Sequence, residues 1–85
     1  MKVTIGEAGL NETWQAPFPE IAICVHCGGI SRIGFVAHEG CGETEYVSHL
    51  HENGGEGDFW LHDACCVAVY FCKDCLKPTA LYNQA

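Results

Sequence analysis

The stretch Cys24-Val25-His26-Cys27-Gly28-Gly29 decides the fold of this chain, because a tight turn can aim two cysteines at this spacing toward one metal ion. Glycine directly after such a pair permits the positive φ that the turn needs and lets backbone amides approach the sulfurs. The same two-residue gap occurs in Cys72-Lys73-Asp74-Cys75, in His38-x-x-Cys41 and in His62-x-x-Cys65. Together the four pairs supply enough ligands for one or two closed four-ligand sites.

The cysteine content separates two classes of small protein. Seven cysteines among 85 residues fit either a secreted disulfide scaffold or a reduced, metal-binding intracellular protein. Two features favour a metal-binding protein, namely the odd number of cysteines and the histidines at ligand spacing. The N-terminus also lacks the basic segment followed by an apolar one that is typical of a signal peptide, so we expect a reduced, cytoplasmic protein. No apolar run approaches the roughly 20 residues that span a bilayer, so no membrane partner is expected.

The charge balance argues against duplex nucleic acid as a partner. The formal charge is −7, and the only basic residues are Lys2, Arg32, Lys73 and Lys77. Thiolates around Zn²⁺ would make the protein more negative still. Because binding to duplex DNA or RNA draws much of its free energy from counterion release by Lys and Arg, we expect a protein partner instead.

The local sequence predicts short strands and turns with little helix. Residues 1–19 are predicted to form an N-terminal arm that packs on the domain, with Trp14 and Phe18 over its core, and residues 20–85 to form a single zinc-binding domain. Strand signals occur at residues 2–5, 21–23, 30–37, 45–51, 59–61, 67–71 and 77–82. An apolar core alone barely suffices at this length. We therefore expect a small, metal-stabilised, β-rich domain.

The two cysteine-only pairs, each entered by a strand, resemble the knuckles of zinc ribbons and rubredoxins. In those families two β-hairpin tips face each other and clamp one ion. The resemblance therefore implies zinc-ribbon-like hairpins around a metal site formed by Cys24, Cys27, Cys72 and Cys75. It implies Zn²⁺, and it leaves iron open because rubredoxins hold iron with the same geometry. The second knuckle departs from the pattern, since Leu76 stands where glycine is common.

The spacing leaves other pairings open. A second site could be nested inside the first, with the ligands His38, Cys41, His62 and Cys65. The pairs could instead interleave, first with third and second with fourth, in the order of RING and PHD-type domains. In addition, the run from Trp60 to Cys65 resembles the aromatic-then-H-x-x-C element of LIM and treble-clef fingers. That weaker resemblance implies a single site of Cys24, Cys27, His62 and Cys65.

The remaining metal-type residues have structural interpretations. Cys66 should point away from Cys65 on a strand and serve as a small core residue. His26 lies inside the first knuckle and should point outward. His49 and His51 share a strand face, where they are either exposed or available to bind metal, for instance in place of His38.

These features favour a structural role of the metal sites over a catalytic one. The ligands suffice to close the sites, and no third residue orients a cysteine nucleophile, so we expect no enzyme activity. The leading interpretation is a small structural zinc-binding protein that acts as a protein-interaction module. Exposed aromatic side chains would make its contacts, drawn from Trp14, Phe18, Phe35, Trp60 and Tyr82. The alternatives are a zinc ribbon that binds single-stranded nucleic acid and a metal-handling or redox-sensing protein.

Overall fold

The computed structural model describes residues 2–38 and 65–84, which form one antiparallel sheet. Its strands are β1 (Lys2–Ile5), β2 (Ile21–Ile23), β3 (Ile30–His38), β4 (Cys65–Cys72) and β5 (Pro78–Gln84). A short 3-10 helix, Gly6–Gly9, is the helical element of this part of the chain. The predicted small β-rich fold with almost no helix is confirmed over these residues.

Strands β3 and β4 form the centre of the sheet. β4 pairs with β3 along one edge and with β5 along the other. The outer edge of β3 is shared by two short strands, because β2 pairs with residues 30–32 and β1 with residues 35–38. Since Ser31 is the Cα partner of Cys72, the β2–β3 turn and the β4–β5 turn lie at the same end of the sheet.

A β-bulge at Gly34 lies within β3, which runs without a break from Ile30 to His38. The register between β3 and β4 shifts between Ile33 and Phe35. A Cβ at Gly34 would overlap the ring of Phe71 on the neighbouring strand, so this close approach requires glycine. Because of the extra residue, Ile33 and Val36 both face the core although they are three positions apart.

One face of the sheet carries the hydrophobic core. The arm between the 3-10 helix and β2 covers this face with Leu10 and Phe18, which are 8% and 7% exposed, and with the partly buried Trp14. The strands contribute Val36, Cys66, Ala68 and Tyr70. The prediction that Trp14 and Phe18 cover the core is confirmed. Phe18 is buried, so it is not among the exposed aromatic side chains that were expected to contact a partner.

Among the residues that the structure describes, the opposite face of the sheet is apolar and largely exposed. The register puts seven of the exposed large hydrophobic side chains on it, namely Val3, Ile5, Ile21, Ile23, Ile30, Phe71 and Tyr82. Arg32 is the charged residue of this face among the residues that the structure describes. The predicted strands at 45–51 and 59–61 lie outside the described residues.

Candidate metal centre

Four cysteine sulfurs meet where the two turns face each other. Cys24 and Cys27 come from the first knuckle (residues 24–29), and Cys72 and Cys75 from the second (residues 72–77). Their Sγ atoms all lie within 4.8 Å of one another. Across the cluster, Cys24 Sγ is 3.6 Å from Cys75 Sγ and Cys27 Sγ is 3.5 Å from Cys72 Sγ. Zn–S bonds of about 2.3 Å in a tetrahedron require sulfurs about 3.8 Å apart, so these residues fit a bound ion.

The two knuckles are built by matching backbone hydrogen bonds. The N–H of Gly28 donates to the carbonyl oxygen of Cys24 at 3.0 Å, and the N–H of Leu76 donates to that of Cys72 at the same distance. A second bond closes each turn, from Cys24 N–H to the Gly29 carbonyl (2.8 Å) and from Cys72 N–H to the Lys77 carbonyl (3.1 Å). Equal turns facing each other place two sulfurs from each side around one point.

Both knuckles pass through the left-handed backbone region at the residue after the second cysteine. Gly28 has φ of 77° and Leu76 has φ of 64°. Glycine adopts this conformation without steric cost, whereas Leu76 brings its Cβ close to the following carbonyl oxygen. The turn geometry that the sequence put in question at Leu76 therefore forms, with a conformational cost that the first knuckle avoids.

Backbone N–H groups stabilise the thiolate of the first cysteine in each knuckle. The N–H of His26 lies 3.3 Å from Cys24 Sγ, and that of Asp74 lies 3.4 Å from Cys72 Sγ. The N–H of Cys27, with that of His26, lowers the pKa of Cys24 from 9.0 to about 6 against the opposing effect of burial. The N–H groups of Cys75 and Asp74 lower the pKa of Cys72 in the same way.

The pKa of the second cysteine in each knuckle is raised rather than lowered. Although the N–H of Gly29 favours its thiolate, the neighbouring thiols of Cys72 and Cys75 raise the pKa of Cys27 to about 12. The pKa of Cys75 is also raised, because burial and Cys24 outweigh the N–H of Lys77. Without a cation the cluster therefore keeps part of its protons. A divalent ion would ionise all four thiols and release those protons on binding.

Contacts around the cluster fix the two knuckles to the sheet. The buried hydroxyl of Thr79 accepts the N–H of Val25 at 3.1 Å, and the N–H of Lys73 donates to the carbonyl of Ile30 at 3.4 Å. A Cβ at Gly29 would lie 2.7 Å from an Asp74 carboxylate oxygen and 3.2 Å from Cys27 Sγ, so glycine permits this packing. Sequence reasoning missed Thr79, because no motif marks a hydroxyl that is brought in from β5.

The structure separates Cys65 from the cluster. Cys65 and Cys72 begin and end the eight-residue β4, so their Cα atoms are about 23 Å apart. Cys24 and Cys27 therefore meet Cys72 and Cys75, and the alternative that pairs them with Cys65 is wrong. Spacing alone could not decide this, because it identifies which residues form a pair but not which pairs share an ion.

The second, nested site remains a prediction. His38 ends β3, where its ring stacks on Trp14 with a centroid distance of 4.7 Å, and its Cα partner is Cys66 rather than Cys65. The other two ligands of that site, Cys41 and His62, lie outside the described residues, as do His49 and His51. Cys66 is fully buried, as predicted, and His26 is exposed, with Nε2 3.0 Å from the Pro78 carbonyl oxygen.

Comparisons with known proteins give no relative: no family model, no curated protein and no solved structure matches this chain. Within residues 2–38 and 65–84, no helix has the length and apolar character needed to cross a membrane. The four-cysteine cluster is thus the feature from which a role can be argued.

Proposed function

We propose that this chain is a small protein stabilised by one structural Zn²⁺ ion and that it acts as a protein-interaction module. The four-cysteine cluster carries the first part of the proposal. Four sulfur ligands complete a tetrahedron and leave no position for water or substrate, as in structural rather than catalytic zinc sites. Zinc is preferred to iron because a structural role requires no change of oxidation state.

Native mass spectrometry with elemental analysis of the purified protein tests the metal assignment. We expect one zinc per chain and the mass of the fully reduced chain plus one Zn²⁺ less two protons. Iron in place of zinc would overturn the choice of metal, and a metal-free folded protein would overturn the structural role. A second tightly held zinc would support the nested site at His38, Cys41, His62 and Cys65.

The interaction role rests on the open apolar face of the sheet. Exposed side chains such as Ile5 (74%), Ile23 (67%) and Tyr82 (62%) are unusual in number for so small a surface. Affinity capture with the zinc-loaded protein, followed by binding assays with purified candidates, tests this role. We expect a saturable complex with a protein. We expect no complex with a single-stranded oligonucleotide even at low salt, because four basic residues provide little charge for it.

The exposure of Cys27 favours metal handling as a second candidate function. The other three cysteines of the cluster are buried or half-buried, whereas the residue Cys27 is exposed, so a chelator would approach the ion from its side. Transfer of zinc to a chromogenic chelator measures the exchange rate. Structural zinc should be released only as fast as the protein unfolds. Rapid transfer from the folded protein would favour metal handling.

A further inference from the structure

The four cluster cysteines differ in how much of each residue solvent can reach. Cys24 and Cys72 are almost completely buried, with 2% and 1% of their surface exposed, and Cys75 is half-buried. Cys27 is exposed. The space beside the following Gly28 is open, because a Cβ there would meet no atom within 4 Å apart from its chain neighbours. A small solute therefore approaches the cluster from the side of Cys27.

The sulfur of Cys72 is well placed to react with an oxidised Cys27. The two Sγ atoms lie 3.5 Å apart across the cluster, and Cys24 Sγ lies 3.6 Å from Cys75 Sγ. A Cβ at Gly29 would be 3.2 Å from Cys27 Sγ and 3.3 Å from Cys72 Sγ, so no side chain of residue 29 covers this pair. Because a disulfide bond is about 2.05 Å long, each pair has to close by roughly 1.5 Å.

Backbone hydrogen bonds hold the two knuckles together without any contribution from an ion. The N–H of Lys73 in the second knuckle donates to the carbonyl oxygen of Ile30, which follows the first knuckle, at 3.4 Å. The N–H of Val25 in the first knuckle donates to the Thr79 hydroxyl of β5 at 3.1 Å. The turns therefore stay opposed while bonds form between their sulfurs. A disulfide across the cluster joins the same two turns that the ion would hold.

The charge of the protein and the state of its sulfurs select the class of oxidant. A bound ion would keep all four cysteines as thiolates, so access to the sulfur, rather than its pKa in the metal-free protein, decides which one reacts first. The formal charge of −7 disfavours the approach of anionic oxidants. Hydrogen peroxide is small and uncharged, so it meets both conditions.

We infer that the cluster, given the structural zinc proposed above, is a peroxide modification site where oxidation replaces the ion by the disulfides Cys27–Cys72 and Cys24–Cys75. The Cys27 thiolate attacks peroxide, breaks the O–O bond, becomes a sulfenic acid and releases hydroxide. The Cys72 thiolate then attacks the Cys27 sulfur, forms the S–S bond and releases a second hydroxide. The two sulfurs lose two electrons, which reduce one peroxide. Cys24 and Cys75 react with a second peroxide in the same way, and Zn²⁺ leaves with its charge unchanged.

The predicted disulfides separate the loss of zinc from the loss of the fold. They join cysteines that are 45 and 51 positions apart, so they restrict the unfolded chain as the ion does. We therefore expect the oxidised protein to release its zinc and keep its sheet. Disulfides that form in a reducing compartment are typically transient and redox-sensing. Zinc release then becomes a reversible response of this protein to peroxide.

Peroxide treatment of the zinc-loaded protein in the presence of a chromogenic zinc indicator tests the release. We expect peroxide to speed the transfer of zinc by at least about tenfold, because without it the ion leaves only as the protein unfolds. The oxidised protein should keep the β-sheet circular dichroism and the amide chemical-shift dispersion of the zinc-loaded form. The reduced protein stripped by a chelator should lose both. Dithiothreitol with stoichiometric zinc should restore the reduced, zinc-loaded mass.

Trypsin distinguishes the possible disulfide pairings, because it cuts after Lys73, between Cys72 and Cys75. The oxidised protein is denatured and digested without reductant. The three cysteine-containing fragments are 3–32 with both cysteines of the first knuckle, 33–73 with Cys72, and 74–85 with Cys75. Disulfides across the cluster link all three fragments into one species. Disulfides within the knuckles leave the first fragment unlinked and join only the other two.

We expect the species of three linked fragments, with Cys27–Cys72 and Cys24–Cys75 assigned by fragmentation in the mass spectrometer. Limiting peroxide should give the Cys27–Cys72 bond first, with Cys75 still open to alkylation. The matched control is Cys66→Ala, because Cys66 is fully buried in the core and is not part of the cluster. This variant should release zinc at the wild-type rate and give the same linked species.

Several results would overturn the modification site. They are zinc that stays bound in excess peroxide, disulfides within the knuckles, and unfolding of the oxidised protein. Release by glutathione disulfide as fast as by peroxide, with a glutathione adduct on Cys27, would overturn the choice of oxidant. A reduced protein that stays folded without zinc would refute the structural role of the ion. Disulfides within the knuckles, in a protein that does unfold when reduced and stripped, would refute the modification site alone.

Discussion

The left-handed backbone conformation of Leu76 lowers the stability of the protein. A left-handed conformation costs a non-glycine residue about 1–2 kcal/mol, and glycine recovers part of this while adding freedom to the unfolded chain. Leu76→Gly should therefore raise the free energy of unfolding by about 0.5–1 kcal/mol, measured by chemical denaturation at fixed free zinc. The matched change Gly28→Ala introduces the same strain in open space and should lower it by about 1–2 kcal/mol. A less stable Leu76→Gly would show that the leucine packs favourably.

Cys66 makes the stability of the protein depend on pH in the alkaline range. Burial raises the pKa of its thiol from 9.0 to about 11. The N–H of Trp14 lowers the pKa in part, and the nearby Cys65 and Glu12 raise it further. The unfolded chain therefore loses this proton first as the pH rises. The raised pKa of Cys66 contributes to the free energy of unfolding in full below pH 9, and this contribution is lost as the pH rises through about 11. We therefore expect the free energy of unfolding to fall by about 1 kcal/mol between pH 8 and pH 10.

The variant Cys66→Ala isolates this contribution. It should be less stable than the wild type at pH 8, because it leaves a small cavity in the core. Its urea midpoint should nevertheless decline less than that of the wild type between pH 8 and pH 10. Parallel declines in the two proteins would assign the alkaline loss of stability to other groups.

At the scale of elements, hydrogen bonds fasten the arm to the sheet. The hydroxyl of Tyr70 on β4 donates to the carbonyl oxygen of Pro19 at 2.6 Å. Tyr70 is fully buried, so Tyr70→Phe leaves that carbonyl without its donor and should cost about 1–2 kcal/mol of unfolding free energy in thermal or urea denaturation. Tyr82→Phe provides the control, because the Tyr82 side chain is 62% exposed. This substitution should leave the free energy of unfolding almost unchanged. Equal effects of the two changes would mean that the bond is replaced by water.

The strands themselves follow from the sequence better than their partners do. The apolar β-branched run at 67–71 predicts β4, and the residues before each cysteine pair predict the strands that enter the knuckles. Nothing local indicates that β1 and β2 share one edge of β3, because this arrangement depends on contacts between distant segments. The bulge is equally hard to predict from the sequence. A glycine at position 34 indicates a local irregularity, but its close approach to Phe71 arises only when β3 and β4 pair.

For the whole molecule, the cysteine cluster joins segments that are far apart in sequence. Cys24 and Cys75 are separated by 51 positions, and the cluster holds the β2–β3 turn against the β4–β5 turn. In the part of the chain that the structure describes, the core cluster has six buried members, and Cys66 and Ala68 are among them. A chain of 85 residues with such a core gains limited stability from burial alone. We therefore expect the proposed ion to contribute much of the stability of the domain.

Removal of the metal should consequently unfold the protein. Binding of structural Zn²⁺ contributes on the order of 10–16 kcal/mol in zinc-finger peptides, comparable to or above the roughly 5–15 kcal/mol stability of ordinary domains. We expect a strong chelator to abolish amide chemical-shift dispersion and the β-sheet circular dichroism, and stoichiometric zinc under reducing conditions to restore both. Cys24→Ser should reproduce the unfolded state in the presence of zinc, whereas Cys66→Ala should remain folded and sensitive to the chelator. A cooperative thermal transition in the chelated wild type would show that the sheet is stable without its ion.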